Sequence, residues 1–189
     1  MYFPVSWNEL HIHTLDLARQ LQRAGEKPDC IVAIARGGLA IANILSDSIH
    51  VPVSSFTVST YAGMKKITEP ELRYSVAPEI HGHSVLLLDD IADTGETLAF
   101  GLRYIESFAP KRVVTATLFY RNHSKHRPDY YVREVSEWVI FPFEITETIK
   151  VYHSLEKKEP ARARELMESI KELNLPESLI ETLVEGNQD

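Results

Sequence analysis

Two adjacent carboxylates, Asp89 and Asp90, follow the apolar run Val85-Leu86-Leu87-Leu88, and Asp93-Thr94-Gly95-Glu96-Thr97 comes close behind. A short apolar run bounded by polar residues predicts a strand buried on both faces. In open α/β sheets, ligands sit beyond the carboxyl ends of the strands. Paired carboxylates there can accept hydrogen bonds from a vicinal diol or help hold a hard cation. A turn of small and hydroxyl-bearing residues entering a helix offers backbone N–H groups and the positive end of the helix dipole, which suit a phosphate. The turn is not a Walker A loop, because it has no Gly-Lys-Ser/Thr. Each part alone has a plainer explanation, a solvated Asp-Asp loop or an ordinary Asp or Thr helix cap. Their succession on a strand, a turn and a helix points to a diol site beside a monophosphate site, the combination a ribose 5-phosphate requires.

The elements that must hold this site are legible as periodicity. Ser6-Trp7-Asn8-Glu9 has the form of a capping box, and Leu10, Leu15, Leu17, Ala18 and Leu21 follow at roughly helical spacing, with a stop near Gly25 and Pro28. Cys30 to Ala35 predicts a first buried strand, residues 38–48 a helix, and Val51 to Phe56 a second strand. Residues 60–83 are polar and mixed, with Gly63, Pro70, Pro78 and Gly82, and read as a long mobile loop that leaves room for local pairing. Val85 to Leu88 is the third strand, Thr97 to Phe108 a helix, Arg112 to Phe119 a fourth strand rich in β-branched residues, and Trp138 to Phe141 a shorter fifth. Strands alternating with helices predict a parallel sheet with right-handed crossovers. The tail, 155–189, differs: Ala161, Leu166, Met167, Ile170 and Leu173 predict one amphipathic helix and Pro176 starts another, packed on the domain or on a second subunit.

Bulk properties narrow the partners. The chain has 189 residues, enough for one domain with a real core, and a net charge of −7. An acidic surface argues against generic nucleic-acid binding, which needs a basic face. Cys30 is the single cysteine, so no disulfide forms within the chain, which fits a reducing cytoplasm. No apolar run has the roughly 20 residues of a membrane span, and the first ten residues do not have the pattern of a signal peptide. His11, His13, His81 and His83 do not combine with a third ligand at transition-metal spacing.

Residues 85–97, VLLLDDIADTGET, resemble the PRPP-binding signature of the type I phosphoribosyltransferases. The resemblance covers about residues 30–145 and implies an open, mostly parallel sheet flanked by helices, with a small hood and a C-terminal helical tail. It implies a phosphoribosyltransferase domain over 1–154 and a helical extension over 155–189. It further implies that Asp89 and Asp90 address the ribose hydroxyls and, directly or through water, Mg²⁺. Asp93, Thr94, Gly95, Glu96 and Thr97 would hold the 5-phosphate, and Asp93 would be the general base or proton relay.

Other segments fit the same family. Ala35-Arg36-Gly37-Gly38 looks like its pyrophosphate loop, where arginine and glycines close on a polyanion; a non-proline cis peptide there would be Ala35–Arg36. Ser59-Thr60-Tyr61 resembles the start of the flexible loop that closes over the reacting centre, with Lys65, Lys66 and Arg73 as candidates to meet the diphosphate. Residues 120–145 look like the base-binding part of xanthine-guanine phosphoribosyltransferases. Within them Trp138 would stack on a purine, backbone at Val139 would read the base edge, and Glu144 would lie near a second Mg²⁺. Arg121 stands where relatives using 6-oxopurines carry a lysine, a different fork and reach, and Lys125 is an alternative. His123 and His126 lie near the same segment.

The implied reaction is base plus PRPP giving a nucleoside 5′-monophosphate and pyrophosphate, in a cytoplasmic homodimer or homotetramer. An enzyme using another acceptor base and a PRPP-sensing regulator of the same fold are the alternatives.

Overall fold

The computed structural model describes residues 1–62, 65–75 and 79–186, and the side chains of these except at 59–62 and 65–69. In chain order the elements are β1 (Tyr2–Pro4), α1 (Trp7–Arg23), β2 (Cys30–Ala35), α2 (Gly37–Ile49), β3 (Val53–Ala62), β4 (Lys65–Tyr74), β5 (Ser84–Leu88) and β6 (Ile91–Ala92). They continue with α3 (Glu96–Glu106), β7 (Arg112–Tyr120), β8 (Tyr130–Glu134), β9 (Trp138–Ile140), α4 (Ile145–Lys158), α5 (Pro160–Lys171) and α6 (Glu177–Gly186). The chain divides into two compact units, His11–Ser136 and Met1–Leu10 with Glu137–Asp189.

The His11–Ser136 unit is built on a seven-stranded sheet. Its order is β4-β3-β2-β5-β7-β6, with β8 also paired to β7. Every pair is parallel except β3–β4. The central strands are continuous apolar runs because both faces are covered: Ile31 to Ile34 and Val85 to Leu88 are buried. One core gathers Val32, Ile34, Phe56, Leu87, Leu98 and Ile105. Helix α3 comes close to the sheet because Gly101 has no side chain; a Cβ there would lie 2.9 Å from Ile34 Cδ1 and 3.1 Å from Phe56 Cζ. Helix α2 stops at His50, which takes a left-handed conformation and donates its N–H to Ser46 O at 2.8 Å.

The segment expected over 60–83 as a long loop with local pairing is paired over most of its length. Residues 65–74 form β4 and run antiparallel to β3, Val58 opposite Leu72 and Ser59 opposite Glu71, with register shifts along the way. Lys, Glu and Pro suit an exposed edge strand as well as they suit a loop. Gly63 and Pro78 lie outside the described residues. Tyr130–Glu134, not expected as a strand, pairs with β7; its approach is fixed by Asp129 Oδ2, which accepts from both Thr115 N and Thr115 Oγ1 at 2.8 Å.

The second unit joins the start of the chain to its last third. Expected as a fifth strand beside the others, Trp138–Ile140 instead pairs in parallel with Tyr2–Pro4 in a separate two-stranded sheet. Val5 N donates to Ile140 O at 2.9 Å, extending the pairing. The predicted capping box is present: Ser6 N donates to Glu9 Oε2 at 2.8 Å and Glu9 N to Ser6 Oγ at 3.2 Å. The two tail helices form as expected, Pro160 opening α5, but α4 precedes them and was not anticipated. Ile140, Ile149, Leu166, Ile170, Leu173 and Ile180 make one core, with Tyr2 packed against it. The tail therefore shares its core with β1, β9 and α4, and the units divide at 136/137 rather than at the expected 154/155.

Candidate active site

At the carboxyl end of β5 the chain is clamped to its neighbour. Asp89 N donates to Ala116 O at 3.1 Å, and Asp90 O accepts from Leu118 N at 3.0 Å and Phe119 N at 3.1 Å. These bonds fix two carboxylates that remain only 7% and 8% exposed. Asp89 Oδ1 accepts from Asp90 N at 3.1 Å and Asp90 Oδ1 from Ile91 N at 2.7 Å. Burial pushes the Asp90 carboxyl up from 3.8 to about 6, against the lowering effect of backbone N–H donors and of Asp89.

Asp89, Asp90, Asp93, Thr94, Gly95, Glu96 and Thr97 all line one cavity of about 280 Å³. The turn enters α3 through Gly95, whose φ of 77° is left-handed and favours glycine. A side chain there would also collide with Ser124 Oγ and stand 2.6 Å from His126 N. Thr94 Oγ1 accepts from Glu96 N at 3.4 Å. The first turn of α3 thus opens its N–H groups toward the cavity that the carboxylates border.

The Ala35-to-Gly38 loop closes on the same strand ends. The Ala35–Arg36 peptide is cis, as the resemblance implies. A Cβ on Gly37 would collide with the Asp90 carboxylate, and one on Gly38 would lie 2.6 Å from Leu88 O. Both glycines are needed for the α2 start to lie against the end of β5. Gly38→Ala is expected to destabilise the protein by about 1–3 kcal/mol, read by urea unfolding, because backbone on β5 must shift and this outweighs the better helix propensity of alanine. An unchanged or raised midpoint would show that the approach is looser. Arg36 and Arg73 line a second cleft of about 580 Å³ with Ala35, Thr57, Val58 and Tyr74. Arg73 also pairs with Glu71 at 3.3 Å. Ser59, Thr60 and Tyr61 lie on the outer half of β3; their side chains, and those of Lys65 and Lys66, are outside the described residues.

Sequence reasoning missed how residues 121–126 dock on the turn. Arg121 Nε lies 3.0 Å and His123 Nε2 3.4 Å from Asp93 Oδ1. Lys125 Nζ reaches Glu96 Oε1 at 2.8 Å. The pairing of β6 with β7 brings these residues together, Ala92 standing opposite Tyr120, and a two-residue strand leaves no periodic signal. Trp138, Val139 and Glu144 belong to the other unit. There Trp138 is 57% exposed and Val139 buried, and Glu144 immediately precedes α4.

An open parallel sheet with an acidic strand end, a glycine turn into a helix and an arginine-glycine loop on the adjacent strand defines an α/β protein that binds a phosphorylated ligand at its carboxyl edge. Residues 6–150 match the phosphoribosyl transferase domain, and the chain belongs to that family, with its type I fold. It is 33% identical over 147 residues to a xanthine-guanine phosphoribosyltransferase of Gluconobacter oxydans, covering 76% of this chain and 84% of that one. To the enzyme of the same name from Cereibacter sphaeroides it is 29% identical over 175 residues, 86% of this chain and 94% of that one. The crystal structure of a purine phosphoribosyltransferase from Pyrococcus horikoshii superposes with a TM-score of 0.68 at 29% identity, over 75% of this chain and 93% of that one.

Proposed function

We propose that this phosphoribosyltransferase transfers the 5-phosphoribosyl group of PRPP to a 6-oxopurine (hypoxanthine, guanine or xanthine), releasing pyrophosphate, and that it uses Mg²⁺. The observation that carries the reading is the single cavity bordered by Asp89, Asp90 and the whole 93–97 turn. The names and similarity of the relatives support the choice of purine.

The chain's own groups have separable tasks. Asp89 and Asp90 accept hydrogen bonds from the ribose 2- and 3-hydroxyls. Residues 93–97 receive the 5-phosphate on backbone N–H groups and hydroxyls. Arg36 faces the diphosphate that leaves, where a fixed cation favours the developing charge. The bond from ribose C1 to the diphosphate oxygen breaks as the bond from the purine nitrogen to C1 forms, and the purine proton passes to Asp93. An oxocarbenium-like centre at C1 is expected by analogy with glycosyl transfer. Trp138 stacks on the base and backbone at Val139 reads its edge. The β3–β4 arm, entered at Ser59, Thr60 and Tyr61, closes over the centre and excludes water.

The site fits Mg²⁺. Among the described residues no three His, Cys, Asp or Glu side chains form a metal cage, and Mg²⁺ is commonly held by one or two carboxylates together with substrate phosphates. Asp89 and Asp90 supply such oxygens, and a nearby cation would favour the charged form that burial opposes at Asp90. When bound, Mg²⁺ neutralises the diphosphate charge. Glu144 is the candidate for a second ion. Assembly as a homodimer or homotetramer belongs to the same reading.

The test is a panel of PRPP and Mg²⁺ with each nucleobase, followed by chromatography of the products. A nucleoside 5′-monophosphate from a 6-oxopurine is expected. Product only with a pyrimidine or adenine would overturn the choice of base, and no product with any base would favour a PRPP-sensing regulator.

A further inference from the structure

The carboxylate assigned to proton transfer is held by its neighbours. The Asp93 side chain is 51% exposed, whereas that of Arg121 is 17% exposed. The Arg121 Nε atom is itself buried and meets Asp93 Oδ1 as an ion pair at 3.0 Å rather than through an aligned hydrogen bond. Its backbone is anchored on the same turn: Arg121 N donates to Ala92 O at 3.1 Å, Ser124 N to Arg121 O at 2.9 Å and Lys125 N to Thr94 O at 2.9 Å. Lys125 Nζ adds its bond to Glu96 Oε1 at 2.8 Å. Gly95 lets the two segments meet, since any side chain there would strike Ser124. The main chain that carries the guanidinium is thus fixed on the turn, while the carboxylate it faces is half-exposed.

We infer that Arg121 is a positioning residue that acts through Asp93: it holds Oδ1 and leaves Oδ2 turned to the base. The inference rests on the phosphoribosyl-transfer reading and deepens it. A half-buried cation is favoured by an anion beside it, and Asp93 supplies one at ion-pair distance. An exposed carboxylate samples several rotamers, and a rigid planar cation on one of its oxygens selects among them more sharply than a flexible ammonium would. A base-reading role for Arg121, expected from its alignment with a lysine of relatives, predicts a different kinetic pattern.

The experiment is a double-mutant cycle on the full chain, with kcat and the KM for base and for PRPP measured for wild type, Arg121→Met, Asp93→Asn and the double variant. Arg121→Met is expected to lower kcat by about 10–100-fold, the loss typical of a misplaced reacting group, with the base KM within about threefold. On the Asp93→Asn background the same change is expected to lower kcat by less than about twofold, because the group it positions is gone. Arg121→Lys is expected to recover part of the loss, and it serves in place of Arg121→Met should the latter fail to fold. A rise in base KM of more than about tenfold with kcat held, or an undiminished kcat loss on the Asp93→Asn background, would overturn the inference while leaving the enzyme reading intact. A wild-type protein that makes no nucleotide from any base would overturn both.

Discussion

Replacing Asp93 with asparagine is expected to lower turnover by about 10²–10⁴-fold and to change PRPP affinity by less than about threefold. The substitution keeps size and one acceptor oxygen, so the Asp93 Oδ1 position 3.0 Å from Arg121 Nε is still filled. It removes only the capacity to take a proton. In the proposed reading PRPP is held by Asp89, Asp90 and the backbone N–H groups and hydroxyls of the 93–97 turn, which line the same cavity and which the substitution leaves in place, so its binding should survive. Steady-state kinetics at saturating base, with PRPP titrated by calorimetry, separates the two quantities. Thermal unfolding of the variant checks that a half-buried guanidinium facing a neutral amide has not cost the fold. Undiminished turnover would remove Asp93 from the chemistry without touching the family assignment.

Asp90→Asn is expected to do two opposite things: abolish PRPP binding and stabilise the ligand-free protein. The folded carboxyl titrates near 6 and the unfolded one near 3.8, the shift being caused first by burial. Between those values the folded state holds a proton that the unfolded state has released. Stability therefore falls as pH rises from about 4 to about 6 and stays low above that range. Asparagine has no charge to desolvate and can still accept from Ile91 N through its Oδ1, as Asp90 does at 2.7 Å. At about pH 7.5 the variant should be more stable by about 1–3 kcal/mol, and the gain should vanish below about pH 4. Denaturant unfolding at the two pH values, beside calorimetry with PRPP and Mg²⁺, reads both effects. A variant that is less stable at the higher pH, or one that still binds PRPP, would sink the view that this carboxylate is kept buried for its ligand.

The parts of the site that sequence reveals are those whose partners are neighbours along the chain. Val85-Leu86-Leu87-Leu88, the two aspartates and the Asp93-to-Thr97 turn form a strand, its end and a helix start within 13 residues, and each leaves a local pattern. Ser6 and Glu9 are equally legible because a capping box is closed by residues three apart. Contacts made through sheet pairing leave no such trace. Arg121 meets Asp93 only because β6 and β7 are adjacent. The edge strand Lys65–Tyr74 carries lysines, acids and a proline, the composition by which edges resist aggregation, so it resembles a loop. Tyr2–Pro4 and Trp138–Ile140 are three residues each, too short for alternation to be counted, and they lie at distant points of the sequence.

That last pairing bears on how the chain is made. Synthesis on the ribosome delivers Tyr2–Pro4 well before its partner Trp138–Ile140 and the helices that complete their common core, which emerge only after residue 136. The His11–Ser136 unit can condense in the meantime, as domains generally do during translation. Tyr2–Pro4 stays unpaired until Trp138–Ile140 and the helices after it have left the exit tunnel. Each doubling of the loop to be closed adds only about 0.6 kcal/mol, so the long separation delays this pairing more than it weakens it, and a strand translated early is among the last to find its place.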